Sequence, residues 1–371
     1  MTKVLSIEIE STDGLARRGS VHTARGSFAT PCFMPVGTRG AVRTLTSEDL
    51  EGLGAEVILG NTYHLMLKPG ENLIDSFGGL HGFADWKGHI LTDSGGFQIF
   101  SLEPKVDDEG ATFASTYDGS RHHLSPERSV EIQQKLGSDI QMVLDVCPPL
   151  PSSDAVVRAA LERSVLWAGR AKKAHAIARA EGSTQAQFGI VQGGISQSMR
   201  VESARRTTEF EFDGYGIGGL SVGETRAEML PALLAATENL PTDAPRYLMG
   251  VGDPASLVEA IALGVDMFDC VLPTRLARHG TILTSMGRLN IRNAKYADDP
   301  EPLEPGCPCP TCSRWSRAYI RHLLSVHEPT AARLTTLHNI SWLLALMERA
   351  RNEISAGTYD RFRQEVLEIW G

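Results

Sequence analysis

The chain has 371 residues, of which 42% are hydrophobic and 22% charged, with 36 Gly and 19 Pro spread along it; this is a globular composition without a low-complexity tract. Single cores stop growing at roughly 250 to 300 residues, so the length suits one large barrel with an appended module or two modest domains. A net charge of −9 does not announce a nucleic-acid binder, and no apolar run approaches the roughly 20 residues that a membrane span requires.

Taken in chain order, short apolar segments ending in a polar residue or a glycine read as strands. They are Glu56 to Leu59, His89 to Thr92, Ile140 to Leu144, Phe188 to Val191, Tyr215 to Ile217, Arg246 to Met249 and Val265 to Phe268. Helical periodicity lies between most of them, clearest over Ser153 to Glu181, with Ser152 or Ser153 at the N-cap, and over Thr225 to Asn239. With seven or eight such units and no Gly-x-Gly-x-x-Gly after the first strand, the pattern predicts an α/β fold, a (β/α)8 TIM barrel, rather than a dinucleotide-binding sheet. The Pro- and acid-rich stretch Asp298 to Pro310 breaks the alternation and reads as the entry to an insertion. The expected division is a catalytic barrel over 1–294, a zinc-binding subdomain over 295–345 and a C-terminal helix over 346–371 packing back on the barrel.

In such a barrel the active site lies at the carboxyl ends of the strands. Asp93, Asp145, Gln192, Gly219 and Asp269 all stand at that position and are expected to converge on one mouth. Asp145 and Asp269 sit in apolar sequence, where a carboxylate is costly to bury unless something binds it. Several strand-end carboxylates suit glycosyl transfer, in which one attacks the anomeric carbon and another handles the proton. Gln192 and the glycine-rich run from Gly216 to Glu224 offer amides and backbone N–H groups to the edge of a planar heterocycle. Arg275 and Arg278 follow Asp269 closely and suit phosphate or base edges. Plain turn chemistry and ion pairing are the simpler reading of each of these features alone.

Three of the six cysteines are scattered (Cys32, Cys147, Cys270) and three crowd within six residues (Cys307, Cys309, Cys312). That is a poor disulfide framework and a good metal turn, and with a start that has neither a signal-type apolar core nor a transit-peptide composition the chain is expected in the cytoplasm. Zinc requires a fourth ligand, for which His322, His327 and His338 compete; a closed Cys3His site is structural, not catalytic. From Arg275 to Arg333 there are nine Lys or Arg against five acids, so this segment is +4 in a chain of −9.

The motifs Phe33-Met34-Pro35-Val36-Gly37-Thr38, Gly60-Asn61-Thr62-Tyr63-His64-Leu65, Thr92 to Gln98, Val265 to Arg275 and Ser316-Arg317-Ala318-Tyr319-Ile320 resemble those of the tRNA-guanine transglycosylases, in particular the bacterial form, over nearly the whole chain. The resemblance implies a barrel with a zinc insertion that replaces guanine at the wobble position of certain tRNAs with a 7-deazaguanine, in queuosine biosynthesis. It implies Asp269 as the nucleophile that forms a covalent tRNA–enzyme intermediate and Asp93 as general acid/base. Ser94, Gly95, Gly96, Asp145, Gln192 and Gly219 are implied at the base pocket, with Leu220 offering its carbonyl to an aminomethyl group, Glu224 supporting that peptide, and Phe97 and Met249 sandwiching the ring. Thr274, Arg275, Leu276, Ala277 and Arg278 match a segment that grips RNA, as do Gly250, Val251, Gly252, Asp253, Pro254, Ala255 and Ser256. His338 matches the fourth ligand of one structural Zn2+. Cys147 and Val222 match bacterial members, which implies 7-aminomethyl-7-deazaguanine as the incoming base, and the family implies a homodimer.

Two other readings compete. A barrel glycoside hydrolase would use the same pair of carboxylates but would want aromatic platforms for sugar rings, and only Trp86 lies near an expected strand-end loop. A zinc-containing RNA-binding protein without catalysis leaves the strand-end aspartates unexplained, since carboxylates repel phosphate.

Overall fold

The computed structural model describes residues 3–371. Eight parallel strands close into a barrel in chain order: β1 (Cys32–Gly37), β2 (Val57–Gly60), β3 (His89–Thr92), β4 (Ile140–Met142), β5 (Ala186–Val191), β6 (Gly214–Ile217), β7 (Arg246–Leu248) and β8 (Met267–Cys270). Strand β8 pairs with β1, Asp269 opposite Met34, and completes the ring. Most strand positions are buried, because helices cover the outer face while side chains fill the interior, so these segments read as continuous apolar runs and not as alternating ones.

The helices that matter for the site are α1 (Gly96–Phe100), α2 (Asp154–Ala180), α3 (Gln197–Thr208), α4 (Arg226–Thr237), α5 (Pro254–Ala262), α6 (Leu272–Arg278), α7 (Arg317–Ser325), α8 (Pro329–Ala356) and α9 (Tyr359–Trp370). Both helices expected from the sequence form. Helix α2 starts after Ser153, and α4 starts with a reciprocal capping box between Thr225 and Glu228.

Four features depart from the sequence expectation. Strand β1 is absent from the expected set, because Pro35 stands inside it and proline normally argues against a barrel strand. The last strand lies two residues later than Val265 to Phe268, so that Asp269 is itself in the ladder. Asp266 just before it takes the Arg17 guanidinium through two bonds of 2.7 and 2.6 Å, fastening an N-terminal three-stranded sheet (Ser6–Asp13, Ala16–Thr23, Gly26–Thr30) to the foot of the barrel. The expected strand to Leu144 pairs only through Met142, although the Val143 N–H still donates to Phe188 O. A three-stranded sheet (Lys105–Val106, Ala111–Ala114, Arg121–Leu124) follows α1 and docks on the segment after β2 through Tyr63 Oη and Thr116 Oγ1, 3.0 Å apart.

Asp298 to Pro310 contains no helix or strand. Around it lies a second, smaller core of Ile282, Ile291, Leu303, Ile320, Leu323, Leu324, Ala331 and Leu334, distinct from the barrel core. No helix among the described residues is long and apolar enough to cross a membrane.

Candidate active site and metal centre

The carboxyl ends of the barrel strands surround a cavity of about 510 Å3. Asp93, Ser94, Gly95, Gly96, Phe97, Asp145, Gly219, Leu220, Met249, Gly250, Asp269 and Arg275 all line it. Gln192 stands behind Asp145 and donates from Nε2 to its Oδ2 at 2.6 Å. Phe97 is 61% exposed at the rim.

Asp269 leaves β8 with only one oxygen engaged. Its Oδ1 accepts from Tyr247 Oη at 2.5 Å and from the Gly250 N–H at 2.8 Å, whereas Oδ2 has no hydrogen-bond partner among the described residues. Burial raises the Asp269 pKa against those two donors. Burial, with Asp269 adding to it, pushes the Tyr247 phenol well above its ordinary value, so it remains a donor. The carboxylate is thereby fixed in direction with a free lone-pair oxygen facing the cavity, the arrangement a nucleophile requires.

Asp93 follows β3. Its Oδ1 accepts from the Thr62 N–H at 2.8 Å and the Gly95 N–H at 3.1 Å, and Oδ2 accepts from Asn61 Nδ2 at 2.5 Å. These donors favour the ionised form, but burial outweighs them, and with Asp269 and Asp145 nearby the pKa is pushed up to about 7. A carboxyl group poised there can both give and take a proton near neutrality.

Asp145 is the third carboxylate. Ser94 Oγ lies 3.4 Å from its Oδ1, and burial pushes its pKa up to about 6 against the Gln192 hydrogen bond. An acid whose folded pKa is above its unfolded value of 3.8 costs stability once ionised. That cost grows as pH rises from about 4 to 6 and is constant above. Asp145→Asn, which keeps the shape and lets the Gln192 amide turn, is therefore expected to raise the unfolding free energy at pH 8 by up to about 3 kcal/mol. The gain is expected to vanish near pH 4. Thermal melts of both proteins at the two pH values check this, and an unchanged or lower melting temperature at pH 8 would refute it.

The glycine-rich turn after β6 approaches Gln192 so closely that a Cβ on Gly219 would lie 2.2 Å from Gln192 Oε1, and its φ of +64° also favours glycine. In the same turn Glu224 accepts from the N–H of Ser221 and, at 3.0 Å, from that of Val222. The Ser221 N–H belongs to the same peptide as the Leu220 carbonyl, so Glu224 sets the direction in which that carbonyl points.

The expected RNA-contacting residues divide by exposure. Arg275 and Gly250 are exposed, and Gly250 and Arg275 line the cavity. Arg278 is partly exposed, with Nη1 on Thr274 O at 3.1 Å. Neither arginine has a carboxylate partner among the described residues. Val251, Gly252, Pro254, Ala255, Ser256, Thr274 and Ala277 are buried, Leu276 is half-buried, and Asp253 caps α5 by accepting from the Ser256 N–H. Those residues support the loop after β7 and helix α6 from beneath.

Cys307, Cys309, Cys312 and His338 bring their ligand atoms within 4.8 Å of one another. The sulfurs lie 3.7, 3.5 and 3.3 Å from His338 Nδ1, in that order. His338 Nε2 lies 2.8 Å from Leu283 O, so the proton belongs on Nε2 and leaves the Nδ1 lone pair for a metal. His322 and His327 are exposed and outside the cluster. Three thiolates and one imidazole form a closed donor set that fits a tetrahedral ion such as zinc.

Four residues of the site receive no role from sequence reasoning, although Asn61 and Thr62 stand in one of the motifs above. Asn61 and Thr62 hold Asp93, Tyr247 holds Asp269, and Arg200 lies behind the glycine-rich turn. Asn61 and Thr62 follow a strand end, the same signal that marks Asp93; Tyr247 and Arg200 carry no comparable mark.

A closed parallel barrel with three carboxylates gathered at its carboxyl mouth, Asp145 buried and Asp93 and Asp269 half-buried, defines the protein as a (β/α)8 barrel enzyme. The family model described as Queuine tRNA-ribosyltransferase matches residues 12–371. Curated proteins of that name from Halothermothrix orenii, Solidesulfovibrio magneticus and Staphylococcus aureus are each 51% identical to the chain, covering 95%, 96% and 96% of it and 94%, 96% and 93% of their own lengths. The chain belongs to the queuine tRNA-ribosyltransferase family.

Proposed function

We propose that this protein replaces guanine at the wobble position of tRNA with 7-aminomethyl-7-deazaguanine, in queuosine biosynthesis, through a covalent ester between Asp269 and the ribose. The observation that carries this reading is the half-anchored Asp269 carboxylate, with Oδ1 held and Oδ2 free, opening on the same cavity as Asp93. Asp269 Oδ2 attacks C1′ as the C1′–N9 bond breaks and its electron pair passes to guanine, which Asp93 protonates. Asp93 then takes the N9 proton of the incoming base, whose N9 attacks C1′ and displaces the carboxylate. The ester keeps the ribose from water while the bases change places.

Asp145, Gln192 and the Gly219 N–H hold the base edge, Phe97 and Met249 flank the ring, and the Leu220 carbonyl receives the aminomethyl group. Arg275 and Arg278 contact the RNA, on the surface that the loop from Gly250 to Ser256 extends. The Cys3His cluster takes one structural zinc ion and braces the subdomain of residues 295–345. The working form is a cytoplasmic homodimer.

Labelled guanine supplied with tRNA is expected to enter the RNA, and the deazaguanine to displace it irreversibly; no incorporation of either base would refute the reading. The acid form of Asp93 is lost as pH rises through about 7, so the exchange rate is expected to fall above that pH. Asp93→Asn should remove this limb and lower the rate by roughly 10^2- to 10^4-fold. A pH–rate profile of both proteins is the check, and an alkaline limb retained in the variant would remove Asp93 from the role.

A further inference from the structure

Arg200, on α3, is fully buried, and its guanidinium has no carboxylate partner among the described residues. All its bonds go to backbone carbonyls: Nε to Gly194 O at 2.8 Å, Nη1 to Val191 O at 3.0 Å and Gly218 O at 2.7 Å, and Nη2 to Gly219 O at 3.0 Å. Burying a cation without a paired carboxylate is expensive, and the Glu224 carboxylate nearby offsets only part of that cost. Elsewhere in the same barrel a neutral amide suffices for this kind of clamp: Gln133 accepts from the Met142 N–H at 2.9 Å and donates to Met142 O at 2.8 Å. Holding the chain together therefore does not explain why the residue behind the glycine-rich turn is charged. Burial lowers the Arg200 pKa only to about 10, so the charge is present at neutral pH.

Peptide geometry supplies the use. Gly218 C=O and Gly219 N–H belong to one planar trans unit and point in opposite directions. With the carbonyl held by Arg200, the N–H is turned away from it, on the side where Gly218 and Gly219 line the cavity. That N–H donates to no oxygen among the described residues; it faces the Cys147 sulfur, a weak acceptor that lines the same cavity and yields to an oxygen. Two peptides further on, the carboxylate of Glu224 grips the Ser221 N–H and turns the Leu220 carbonyl the other way. A buried cation and an anion thus impose opposite polarities on neighbouring peptides of one turn, giving a donor at Gly219 and an acceptor at Leu220.

We propose that Arg200 is a positioning residue that acts through the Gly218–Gly219 peptide, fixing the Gly219 N–H as donor to the 6-oxo oxygen of the exchanged base and stabilising the negative charge which that oxygen takes up as the C1′–N9 electrons pass to the base. The inference rests on the guanine-exchange reading. Charge on a preorganised donor is worth most where it meets developing charge in a site closed to water.

The test is calorimetric binding of free guanine and of 2-aminopurine, the same base without the 6-oxo group, to the full-length protein and to Arg200→Gln and Arg200→Lys. Arg200→Gln is expected to weaken guanine roughly 10- to 100-fold while changing 2-aminopurine by less than about 3-fold. Arg200→Lys should recover part of the loss, and kcat for guanine exchange should fall more than KM for tRNA rises. Equal losses for the two bases, or none, overturn the proposal. Should neither variant fold, the Gly219 amide proton of the unsubstituted protein is expected to move downfield with guanine and not with 2-aminopurine, and an equal shift with both overturns it. An unsubstituted protein that binds neither base and exchanges no guanine into tRNA sinks the functional reading itself; one that does both while the variants lose both bases alike sinks only the role of Arg200.

Discussion

Asp269→Asn is expected to lower base exchange by about 10^4-fold or more and to remove the covalent tRNA adduct from a denaturing gel, while the protein folds and still binds tRNA within about 3-fold. The amide oxygen of the variant can keep both anchors, Tyr247 Oη and the Gly250 N–H. What is lost is the second oxygen, the one without a partner, replaced by an amide nitrogen that cannot form the ester. Burial raises the Asp269 pKa, so in the folded protein the ionised group is disfavoured relative to the unfolded chain. Its removal is thus expected to leave the melting temperature at pH 8 unchanged or higher. An adduct that persists in the variant, or exchange at the unsubstituted rate, would exclude Asp269 as nucleophile. A variant that loses tRNA binding as well would show instead that the carboxylate is needed to build the mouth.

The barrel was legible because parallel strands buried on both faces leave continuous apolar runs, each ended by the polar residue that reaches the mouth. The same rule fails at β1, where Pro35 removes a ladder donor, and at the last strand, where the expected segment stops before Asp269, which lies in the ladder, and runs through Asp266, which precedes the strand and is a buried partner for Arg17. Such a pairing joins residues 249 apart in the chain, and no local pattern encodes it. The carboxylates were legible for a chemical reason, since an acid in apolar sequence requires a purpose. The groups that tune them were not. Tyr247 reads as one more aromatic core residue and Arg200 as one more charge on a polar helix; only the folded chain turns the first toward Asp269 and the second toward four carbonyls. The fourth metal ligand was undecided among three histidines on spacing alone, because a residue 26 positions beyond Cys312 is brought back by a helix whose register the spacing does not specify.

That register carries the effect of the metal further than its own cluster. Thr335, His338 and Asn339 lie on one face of α8, at the three- and four-residue spacing that aligns side chains along a helix. Thr335 Oγ1 reaches Ala277 O at 3.2 Å, and Asn339 Nδ2 reaches Pro273 O at 3.1 Å, both carbonyls on α6, which carries Arg275 and begins just after Asp269. Asn339 Oδ1 also accepts from the Leu283 N–H at 3.0 Å, and Leu283 O is the acceptor that orients His338. Cys309→Ser is therefore expected to do more than release one equivalent of zinc. Loss of the ion should destabilise the small core around Ile282, Ile320 and Leu334 by several kcal/mol, lowering the first melting transition by roughly 10 °C, and should free α6 from its backing. Because the base pocket is built on β3 to β7 and the turns after them, the affinity for free guanine is expected to stay within about 3-fold of the unsubstituted value, whereas kcat/KM for tRNA falls at least about 10-fold through misplacement of Arg275 and Asp269. Metal analysis, calorimetric melting and the two substrate measurements decide it: equal losses for guanine and tRNA would mean that the whole barrel depends on the ion, and no loss for either would mean that the cluster braces nothing at the mouth.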